Sequence, residues 1–286
     1  MTYLIFGKNG QLAAEFIRRF SLDGTAWEGP DEAAADITDP AAVDRVVGDV
    51  RPSVILNCAA YNLVDKAETD RDTAFRVNAD GPRNLARAAD RFGARLVHFS
   101  SDYVFNGSKE DGLYAETDAT APLNIYGSSK LAGEQAVRET LGDRGLVLRL
   151  SWVFGKGKQN FIFKFQERVR SGAPLKVTCD EFSVPTWTGT IVPAVLKAVD
   201  RQMSGLYHLT NSGYCSRYEW AKLILRTYGF DRFILPVTMD SFNLPAKRPR
   251  FSAMNNGSLS RALGMGLASW EEGVEAYIRE ERTAGA

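Results

Sequence analysis

Short apolar runs alternate with helical patterns along the first half of the chain. The apolar runs have the length of buried strands, and they cover Tyr3–Phe6, Val54–Asn57, Arg95–Ser101 and Leu146–Ser151. Helical spacing is found in Gln11–Phe20, Pro40–Val50, Asp72–Phe92 and Tyr126–Leu141. Strands that alternate with helices favour a parallel sheet that is covered on both faces. The pattern therefore predicts an α/β fold with a doubly wound parallel sheet.

The alternation is weaker after Ser151. The elements predicted there are helices over Phe161–Ser171 and Val192–Arg201, a strand over Gly205–Leu209, and helices opened by capping boxes at Ser216 and Ser269. Residues 240–256 show no clear period. We therefore expect a smaller C-terminal lobe, made from interrupted segments, that packs against the sheet.

Composition and charge narrow the classes of partner. Lys plus Arg and Asp plus Glu are both 35, so the formal net charge is zero. This balance lacks the basic footprint of a nucleic-acid-binding protein, and any anionic ligand must be held by local groups. No apolar run has the length of a membrane span, and the first apolar stretch ends at Gly7 without a signal-peptide pattern. We expect no nucleic-acid partner and no membrane partner.

The cysteines and histidines argue against disulfides and metals. Cys58, Cys179 and Cys215 are odd in number and far apart, which is typical of reduced thiols in the cytoplasm. His98 and His208 form no pair with metal-ligand spacing. We expect a cytoplasmic protein with no metal site.

A glycine-containing turn follows the first strand. Gly7 allows a tight turn there, and Gly10 lets a phosphate approach the backbone at the start of a helix. Ala13 stands where a third glycine is usual, and its methyl group is a small intrusion. Two glycines alone are equally compatible with a turn that binds nothing. The contacts we expect between this turn and a dinucleotide are Gly7, Lys8, Gly10, Gln11 and Leu12.

The end of the second strand normally carries the acid that binds the ribose. Residues 25–35 are poorly patterned here, and the candidate acids Glu28 and Asp31 are better interpreted as solvated loop charges. Lys8 is placed to meet a 2′-phosphate. The cofactor is therefore NADPH or NADH, with the choice open, and Asp36 and Ile37 are expected among its contacts.

These features divide the chain into two parts. Residues 1–151, with 183–211 returning to them, are expected to form a dinucleotide-binding domain. Residues 152–182 and 212–286 are expected to form a substrate-binding lobe. The predicted fold is Rossmann-like, with a doubly wound parallel sheet and a smaller C-terminal substrate-binding lobe.

Tyr126 and Lys130 lie four residues apart in a predicted helix, so their side chains share one face. A nearby ammonium lowers the pKa of a phenol, which brings it closer to the range that a general acid needs. The spacing alone is common and is usually a surface pair. Its context here makes a catalytic pair the better interpretation.

That context comes from two other strand ends, where open α/β sheets bind ligands. Ser100 or Ser101 could hydrogen-bond the carbonyl oxygen that Tyr126 protonates, although a serine here could also simply cap a turn. Small residues after the strand that ends at Asn57 would let a cofactor pass close by. Asn78 is a modest misfit in a helix, which suggests a specific polar role, although a solvated side chain is an alternative. The further cofactor contacts expected are Cys58, Ala59, Ala60, Tyr61, Asn78, Tyr126 and Lys130.

Several motifs together resemble a known superfamily. In order they are GxxGQL from Gly7, NCAAYxxVDKAE from Asn57, SSDYVFxG from Ser100, YGxxK from Tyr126, LRxSWVFG from Leu148, NF from Asn160 and RP from Arg248. This set is similar to the extended short-chain dehydrogenase/reductase superfamily and, within it, to the dTDP-4-dehydrorhamnose reductases. The resemblance runs from Gly7 to about Arg250.

The resemblance implies reduction of the 4-keto group of a nucleotide-activated deoxysugar with NADPH or NADH, most closely dTDP-4-dehydro-L-rhamnose to dTDP-L-rhamnose. It implies that Tyr126 is the acid, that Lys130 activates it and binds the nicotinamide ribose, and that Ser101 supplies the hydroxyl for which the family uses Thr. The substrate contacts that it implies are Asp102, Tyr103, Trp152, Asn160 and Arg248, with Trp152 against the hexose and Arg248 on the sugar or the diphosphate.

The chain also departs from the family pattern. Residues 250–254 lack the usual continuation after Pro249. Some family members form metal-assisted dimers through acids, and Glu15 fits such a position, but residues 185–192 carry no acid. We therefore expect no metal, and either a monomer or a homodimer. The alternative functions are a reductase or epimerase of another sugar nucleotide, and a non-catalytic regulatory subunit of the same fold.

Overall fold

The structure, a computed structural model, describes residues 1–284. Its strands are β1 (Tyr3–Phe6), β2 (Trp27–Glu28), β3 (Val54–Asn57), β4 (Arg95–Ser101), β5 (Gly145–Leu150), β6 (Val153–Phe154), β7 (Leu175–Thr178), β8 (Phe182–Ser183), β9 (Thr186–Trp187), β10 (Gly205–His208), β11 (Cys215–Ser216) and β12 (Ile234–Val237).

The helices follow the strands in alternation through the first half. They are α1 (Gln11–Asp23), α2 (Pro40–Val50), α3 (Val64–Ala67), α4 (Arg71–Phe75), α5 (Gly81–Phe92), α6 (Ile125–Leu141), α7 (Phe161–Arg170), α8 (Thr188–Asp200), α9 (Arg217–Tyr228), α10 (Gly257–Leu263) and α11 (Trp270–Ala284). A π-helical turn covers Arg76–Asp80, and short 3₁₀ turns cover Asp102–Val104, Gly142–Arg144 and Met239–Ser241. Among residues 1–284, no helix combines the length and apolar character needed to cross a bilayer.

Six parallel strands form the central sheet in the order β10-β5-β4-β3-β1-β2. The chain leaves β1 towards β2 at one edge and then crosses to β3 on the other side of β1. This reversal makes the gap between the carboxyl ends of β1 and β3 a topological switch point, where open α/β sheets bind ligands. The predicted Rossmann-like parallel sheet is confirmed.

The sheet is buried on both faces, which explains why its strands are continuous apolar runs. In β1, Tyr3 and Ile5 belong to the core cluster that includes residues of α1, α8 and α10. Leu4 and Phe6 belong to the cluster on the other face, which includes residues of α2, α5 and α6. Side chains of one strand thus alternate between two helical layers.

A third core cluster contains no residue of the six-stranded sheet. Its members come from residues 154–278, and it includes the fully buried Trp220 and Phe154. Three two-stranded pairs, β6–β9, β7–β12 and β8–β11, frame this part of the molecule. Leu259 and Leu263 of α10 lie one helical turn apart and pack in the sheet's core cluster. The predicted division into two domains stays a prediction.

The helix predicted over residues 72–92 is present as one helical stretch. The backbone stays right-handed helical from α4 through the π-helical turn Arg76–Asp80 into α5. Pro82 has no backbone N–H to donate, and it lies directly after this turn, in the first turn of α5. The π-helical turn is a local widening of a kind that is frequent at functional sites.

Candidate active site

Two adjoining cavities lie at the carboxyl ends of β1 and β3. The first has a volume of about 280 Å³. Of the site residues predicted from the sequence, those that line it are Gly10, Gln11, Leu12, Cys58, Ala59, Ala60, Ser101, Asp102, Tyr126, Lys130 and Trp152. The second has a volume of about 290 Å³, and the predicted site residues that line it are Gly7, Lys8, Gly10, Asp36, Ile37, Cys58, Ala59 and Ala60. Because four of these residues line both, the cavities form one groove, which we call the switch-point groove.

The turn after β1 brings two backbones into close contact. Gly7 has a positive φ of 77°, and a Cβ there would lie 2.5 Å from the backbone nitrogen of Ala59. Only glycine accommodates both that conformation and that distance. Gly10 caps the start of α1, and Ala13 is fully buried in the sheet's core cluster. The groove therefore offers bare backbone and a helix N-terminus, which fits a dinucleotide pyrophosphate.

Lys8 lies at the second cavity, opposite a loop that follows the two-residue strand β2. Its Nζ is 2.7 Å from Oδ1 of Asp31, in an ion pair whose aspartate is exposed and whose lysine is half-buried. Asp36 Oδ1 accepts a hydrogen bond from the Thr38 backbone at 2.8 Å and so shapes the next turn. A cation and carboxylates therefore share this end of the groove.

Asn57 and Asn78 hold the wall of the groove that follows β3. Asn57 Oδ1 accepts from Ala59 N at 3.2 Å. Asn78 Oδ1 accepts from Tyr61 N at 2.9 Å, and its Nδ2 donates to Tyr61 O and to Ser129 Oγ, both at 3.0 Å. Asn78 is 1% exposed and lines neither cavity. These hydrogen bonds fix the Tyr61 loop, and a direct contact of Asn78 with the cofactor stays a prediction.

Helix α6 carries the predicted catalytic pair into the first cavity. Asn124 caps it by accepting from Gly127 N at 2.7 Å. Tyr126 and Lys130 line the same cavity as Ser101, so the structure brings the three together. Lys130 is 3% exposed, and its Nζ donates to the carbonyl of Phe99 at 2.6 Å.

The predicted lowering of the Tyr126 pKa is not what the structure shows. Burial raises the pKa of Tyr126 to about 12, against the opposing effect of a hydrogen bond between Tyr126 and Ser101. Burial also lowers the pKa of Lys130 to about 8. The physical reason is partial desolvation: Lys130 is buried and Tyr126 is half-buried, which disfavours ammonium and phenolate alike. Tyr126 therefore keeps its proton at neutral pH, as a proton donor must.

Ser101 and Ser100 differ in their partners. Ser101 Oγ accepts from Tyr103 N at 3.2 Å and donates to Asp102 Oδ1 at 3.1 Å. The hydroxyl of Ser100 is buried, and within residues 1–284 it has no hydrogen-bond partner. Both serines line the cavity, so the role of each towards a substrate stays a prediction.

The carboxylate of Asp102 is the acceptor for four serine hydroxyls. Ser101 donates to Oδ1, while Ser151, Ser183 and Ser252 reach Oδ2 at 3.2, 2.8 and 2.6 Å. Burial raises the pKa of Asp102, and the hydroxyls oppose that increase. Asp102 is 2% exposed. The expected sugar contact of Asp102 stays a prediction, because the structure uses its oxygens to join four chain segments.

Trp152 lines the first cavity, whereas Tyr103 is buried and lines neither of the two cavities. Tyr103 packs edge-on against Tyr126, with ring centroids 5.7 Å apart. Trp152 has a positive φ of 39°, which is rare for a bulky residue and is typical of strained functional positions. Its indole stacks on Trp220, and the guanidinium of Arg217 lies 3.6 Å from its ring centroid. Trp152 is thus at once a lining residue and part of an aromatic stack.

Asn160 and Arg248 already have partners within the protein. Asn160 Nδ2 donates to Gly155 O and Gly157 O at 2.7 and 3.0 Å, and its Oδ1 caps α7. Both amide protons are therefore used to shape a loop, and a contact with the sugar stays a prediction. Arg248 donates to both carboxylate oxygens of Asp65, at 3.0 and 2.7 Å. It lines a separate groove from Tyr126.

Sequence reasoning missed Arg217, Asp65, Ser183 and Ser252. Arg217 follows the capping serine of α9 and carries no motif that would place it over Trp152. Ser252 lies in the segment that departs from the family pattern, 150 residues from Asp102 along the chain. No local signal reports such long-range contacts, so only the fold could reveal them.

Comparison with known proteins places the chain in a family. The family model described as "RmlD substrate binding domain" matches residues 1–283. A Burkholderia thailandensis protein named dTDP-4-dehydrorhamnose reductase is 35% identical, over 98% of this chain and 99% of its own. A Streptomyces antibioticus protein, named as a probable dTDP-4,6-dihydroxy-2-methyloxan-3-one 4-ketoreductase, is 38% identical over 94% of this chain and 90% of its own.

Solved structures give the same result. The dTDP-4-dehydrorhamnose reductase of Bacillus anthracis, solved in complex with NADP, superposes with a TM-score of 0.93 at 36% identity, covering 98% of this chain and 99% of that one. The match extends over both the sheet and the C-terminal part. With the family model, the relatives and the fold in agreement, this chain belongs to the RmlD substrate binding domain family.

Proposed function

We propose that this protein reduces the 4-keto group of a nucleotide-activated deoxysugar, with dTDP-4-dehydro-L-rhamnose as substrate and dTDP-L-rhamnose as product. The observation that carries the proposal is the convergence of Tyr126, Lys130 and Ser101 on one cavity that is continuous with a dinucleotide-shaped groove. The names of the relatives agree with this chemistry.

The switch-point groove is the site for the cofactor. Gly7, Gly10 and the start of α1 would hold the pyrophosphate, and Ala59 and Ala60 leave room beside it. A bound NADPH or NADH supplies the hydride for the keto carbon. The bound NADP of the Bacillus anthracis structure supports NADPH as one cofactor of this family.

Tyr126 is the proton donor to the carbonyl oxygen of the sugar. Negative charge develops on that oxygen during reduction, so a protonated phenol held in the cavity stabilises the transition state. The high pKa that burial gives Tyr126 keeps the proton in place until that charge appears. Ser101 adds a hydroxyl within reach of the same oxygen, and Tyr103 packs on the phenol ring.

Lys130 supports Tyr126 and holds the cofactor. Its ammonium donates to the Phe99 carbonyl at 2.6 Å, and both residues line the same cavity. A charge held there stabilises the phenolate that Tyr126 becomes when it gives up its proton. Lys130 therefore acts on the tyrosine after proton transfer, and also donates to the nicotinamide ribose.

Two alternatives use the same residues. The Streptomyces antibioticus relative carries the name of a ketoreductase for a different sugar nucleotide, which favours a reductase or epimerase of another sugar as the second candidate. A non-catalytic regulatory subunit of this fold is the third. The intact phenol, ammonium and hydroxyl favour catalysis over that role.

The deciding experiment is a turnover panel. Purified protein is supplied with dTDP-, UDP- and GDP-linked 4-keto sugars, each with NADPH and with NADH, and cofactor oxidation is followed. We expect turnover on the dTDP-linked 4-keto-deoxysugar, with the product identified by mass and NMR. Turnover confined to another nucleotide would select the second candidate, and no turnover on any member would select the regulatory one.

We also propose the cellular setting and assembly. The protein acts in the cytoplasm, where its three free cysteines stay reduced. It works on a nucleotide sugar as a monomer or homodimer. Fractionation of cells and light scattering on the purified protein test these two statements.

A further inference from the structure

A second groove, of about 390 Å³, adjoins the candidate active site through Trp152. Arg217 lines this groove, and its guanidinium stacks on Trp152. Trp152 lines the first cavity of the switch-point groove, which we call the catalytic cavity because Tyr126 and Lys130 also line it. The two spaces therefore share a wall built from these two side chains. We call the second space the cationic groove.

The cationic groove concentrates positive charge in a chain whose net charge is zero. Its charged lining residues are Lys164, Arg168, Lys176, Arg217, Arg248 and Glu181. Five cations thus face one carboxylate. Such an excess attracts a polyanion, and the low-dielectric walls formed by neighbouring phenylalanines strengthen the attraction.

Arg217 and Arg248 differ in how far the protein has already neutralised them. Arg248 is paired with Asp65 by two hydrogen bonds at 3.0 and 2.7 Å. Among residues 1–284, the ion-pair partner of Arg217 is the Glu181 carboxylate, whose Oε2 lies 3.5 Å from Nε, which is longer than a charge-assisted hydrogen bond. Its side chain is 20% exposed. Arg217 is therefore the cation at the shared wall that keeps the greater capacity for an incoming anion.

The aromatic contacts of Arg217 orient its guanidinium and use none of its N–H donors. The guanidinium lies 3.6 Å from the Trp152 ring centroid, 5.3 Å from that of Phe161 and 5.5 Å from that of Trp220. Stacking engages the flat face of a guanidinium, whereas its N–H groups point outward in the plane. A planar fork held in this way matches the oxygens of a phosphate in bidentate geometry.

We infer that Arg217 binds the diphosphate of the sugar nucleotide and, through its stack on Trp152, sets where the sugar enters the catalytic cavity. The inference rests on the proposed function for the class of substrate. It assigns the diphosphate to Arg217 in the cationic groove, while Arg248 stays committed to Asp65. Arg217 is then a binding and specificity-determining residue.

The test uses dTDP as the probe, because it carries the diphosphate and lacks the keto sugar. Calorimetry measures its binding to the wild type, to Arg217→Ala and to Arg217→Lys, with NADPH binding measured in parallel. We expect Arg217→Ala to weaken dTDP binding by roughly 10- to 100-fold, as for a lost hydrogen bond to a charged group. The affinity for NADPH should stay within about twofold of the wild type. Arg217→Lys should recover part of the dTDP affinity, because it keeps the charge but loses the fork.

Lys222→Ala is the matched control, since Lys222 is an exposed cation on the same helix that lies outside the cationic groove. It should bind dTDP like the wild type. Should Arg217→Ala fail to fold by circular dichroism, Arg217→Gln replaces it, because an amide can still lie flat on Trp152.

The outcomes separate this inference from the proposed function. Wild-type dTDP affinity in a folded Arg217→Ala or Arg217→Gln variant would overturn the inference alone. Absence of dTDP binding to the wild type, together with no turnover in the sugar-nucleotide panel, would overturn both. A rise in KM for the sugar nucleotide with little change in kcat would support Arg217 as a binding residue.

Discussion

Lys130 is a cation that the fold has withdrawn from water. It is 3% exposed and donates to the Phe99 carbonyl, and burial lowers its pKa from 10.5 to about 8. A residue chosen for stability alone would be apolar at this position. The free-energy cost of burying this ammonium is consistent with a functional role for its charge beside Tyr126.

The first prediction concerns the stability cost of this buried charge. A shift from 10.5 to about 8 corresponds to roughly 3 kcal/mol against the folded state when lysine is charged. Lys130→Met keeps a similar shape without charge, so its free energy of unfolding at pH 7 should exceed that of the wild type by up to about 3 kcal/mol.

The pH dependence of that difference has a definite sign. Below pH 8 Lys130 is protonated in both states, so the wild type bears the full cost. Between pH 8 and 10.5 the folded protein releases the proton while the unfolded chain keeps it, so wild-type stability rises and the advantage of Lys130→Met shrinks. Urea unfolding at pH 7 and pH 9 measures this. A methionine variant less stable than the wild type at pH 7 would contradict it.

The second prediction concerns the chemical roles of Tyr126, Ser101 and Lys130. Tyr126→Phe removes only the hydroxyl that donates the proton. Turnover should therefore fall by a factor of about 10²–10⁴, while the fold and the cofactor affinity stay unchanged. Ser101→Ala should cost less, because water can partly replace a hydroxyl. Lys130→Met should harm both turnover and cofactor binding. Steady-state kinetics and cofactor titration on the three variants measure these effects, and near-normal turnover in Tyr126→Phe would favour the regulatory-subunit alternative.

Two glycines bring α6 against its neighbours and so place the catalytic pair. A Cβ at Gly127 would lie 2.2 Å from the carbonyl oxygen of Tyr103, and one at Gly133 would lie 2.1 Å from that of Asn78. These contacts are with backbone, which cannot move aside as a flexible side chain could. The position of Tyr126 and Lys130 thus depends on two residues that carry no chemistry.

The third prediction tests this close approach. Gly133→Ala should destabilise the protein by about 1–3 kcal/mol and lower turnover, because α6 must shift away from Asn78. Gly266→Ala is the control, since Gly266 has open space around its Cβ position and no positive φ. Thermal unfolding and turnover of both variants provide the measurement. Equal stability and equal turnover of the two variants would show that α6 tolerates a side chain at position 133.

At the scale of the whole molecule, distant segments meet around single charges. Asp102 gathers hydroxyls from the ends of β4 and β5, from β8 and from Ser252. Asp65 in α3 binds Arg248 from the C-terminal part. These contacts join the sheet to the C-terminal part beside the catalytic cavity. The switch-point groove is likewise lined by segments that are far apart in sequence.

The fourth prediction concerns the far end of that groove, where the turn after β1 meets the loop after β2. Lys8 faces Asp31 at 2.7 Å, and only NADPH brings a 2′-phosphate to this end. Lys8→Ala should weaken the binding of NADPH by roughly 3- to 10-fold and the binding of NADH by less. The effect is modest because solvent partly screens a charge at this position. Asp31→Asn should strengthen NADPH, since it removes the competing carboxylate. Fluorescence titration of each variant with NADPH and with NADH measures these affinities. An equal loss of affinity for both cofactors would exclude a role of Lys8 in binding the 2′-phosphate.

The sequence by itself determined the features that depend on neighbours along the chain. The parallel sheet follows from apolar runs of strand length between helical patterns. The capping box at Ser216 and Glu219 forms as predicted, since both partners lie within one helical turn. Tyr126 and Lys130 share a helix face for the same reason.

Only the tertiary structure decided which side chains meet across long separations, and how burial changes them. Arg217 stacks on Trp152, and Ser252 binds Asp102, because separate elements pack at one place and no local spacing encodes that packing. Spacing predicted a lowered pKa for Tyr126, whereas burial in the assembled cavity raises it. Local hydrogen bonds and periodicity are properties of the chain, but desolvation and long-range contact exist only once the fold has closed around a residue.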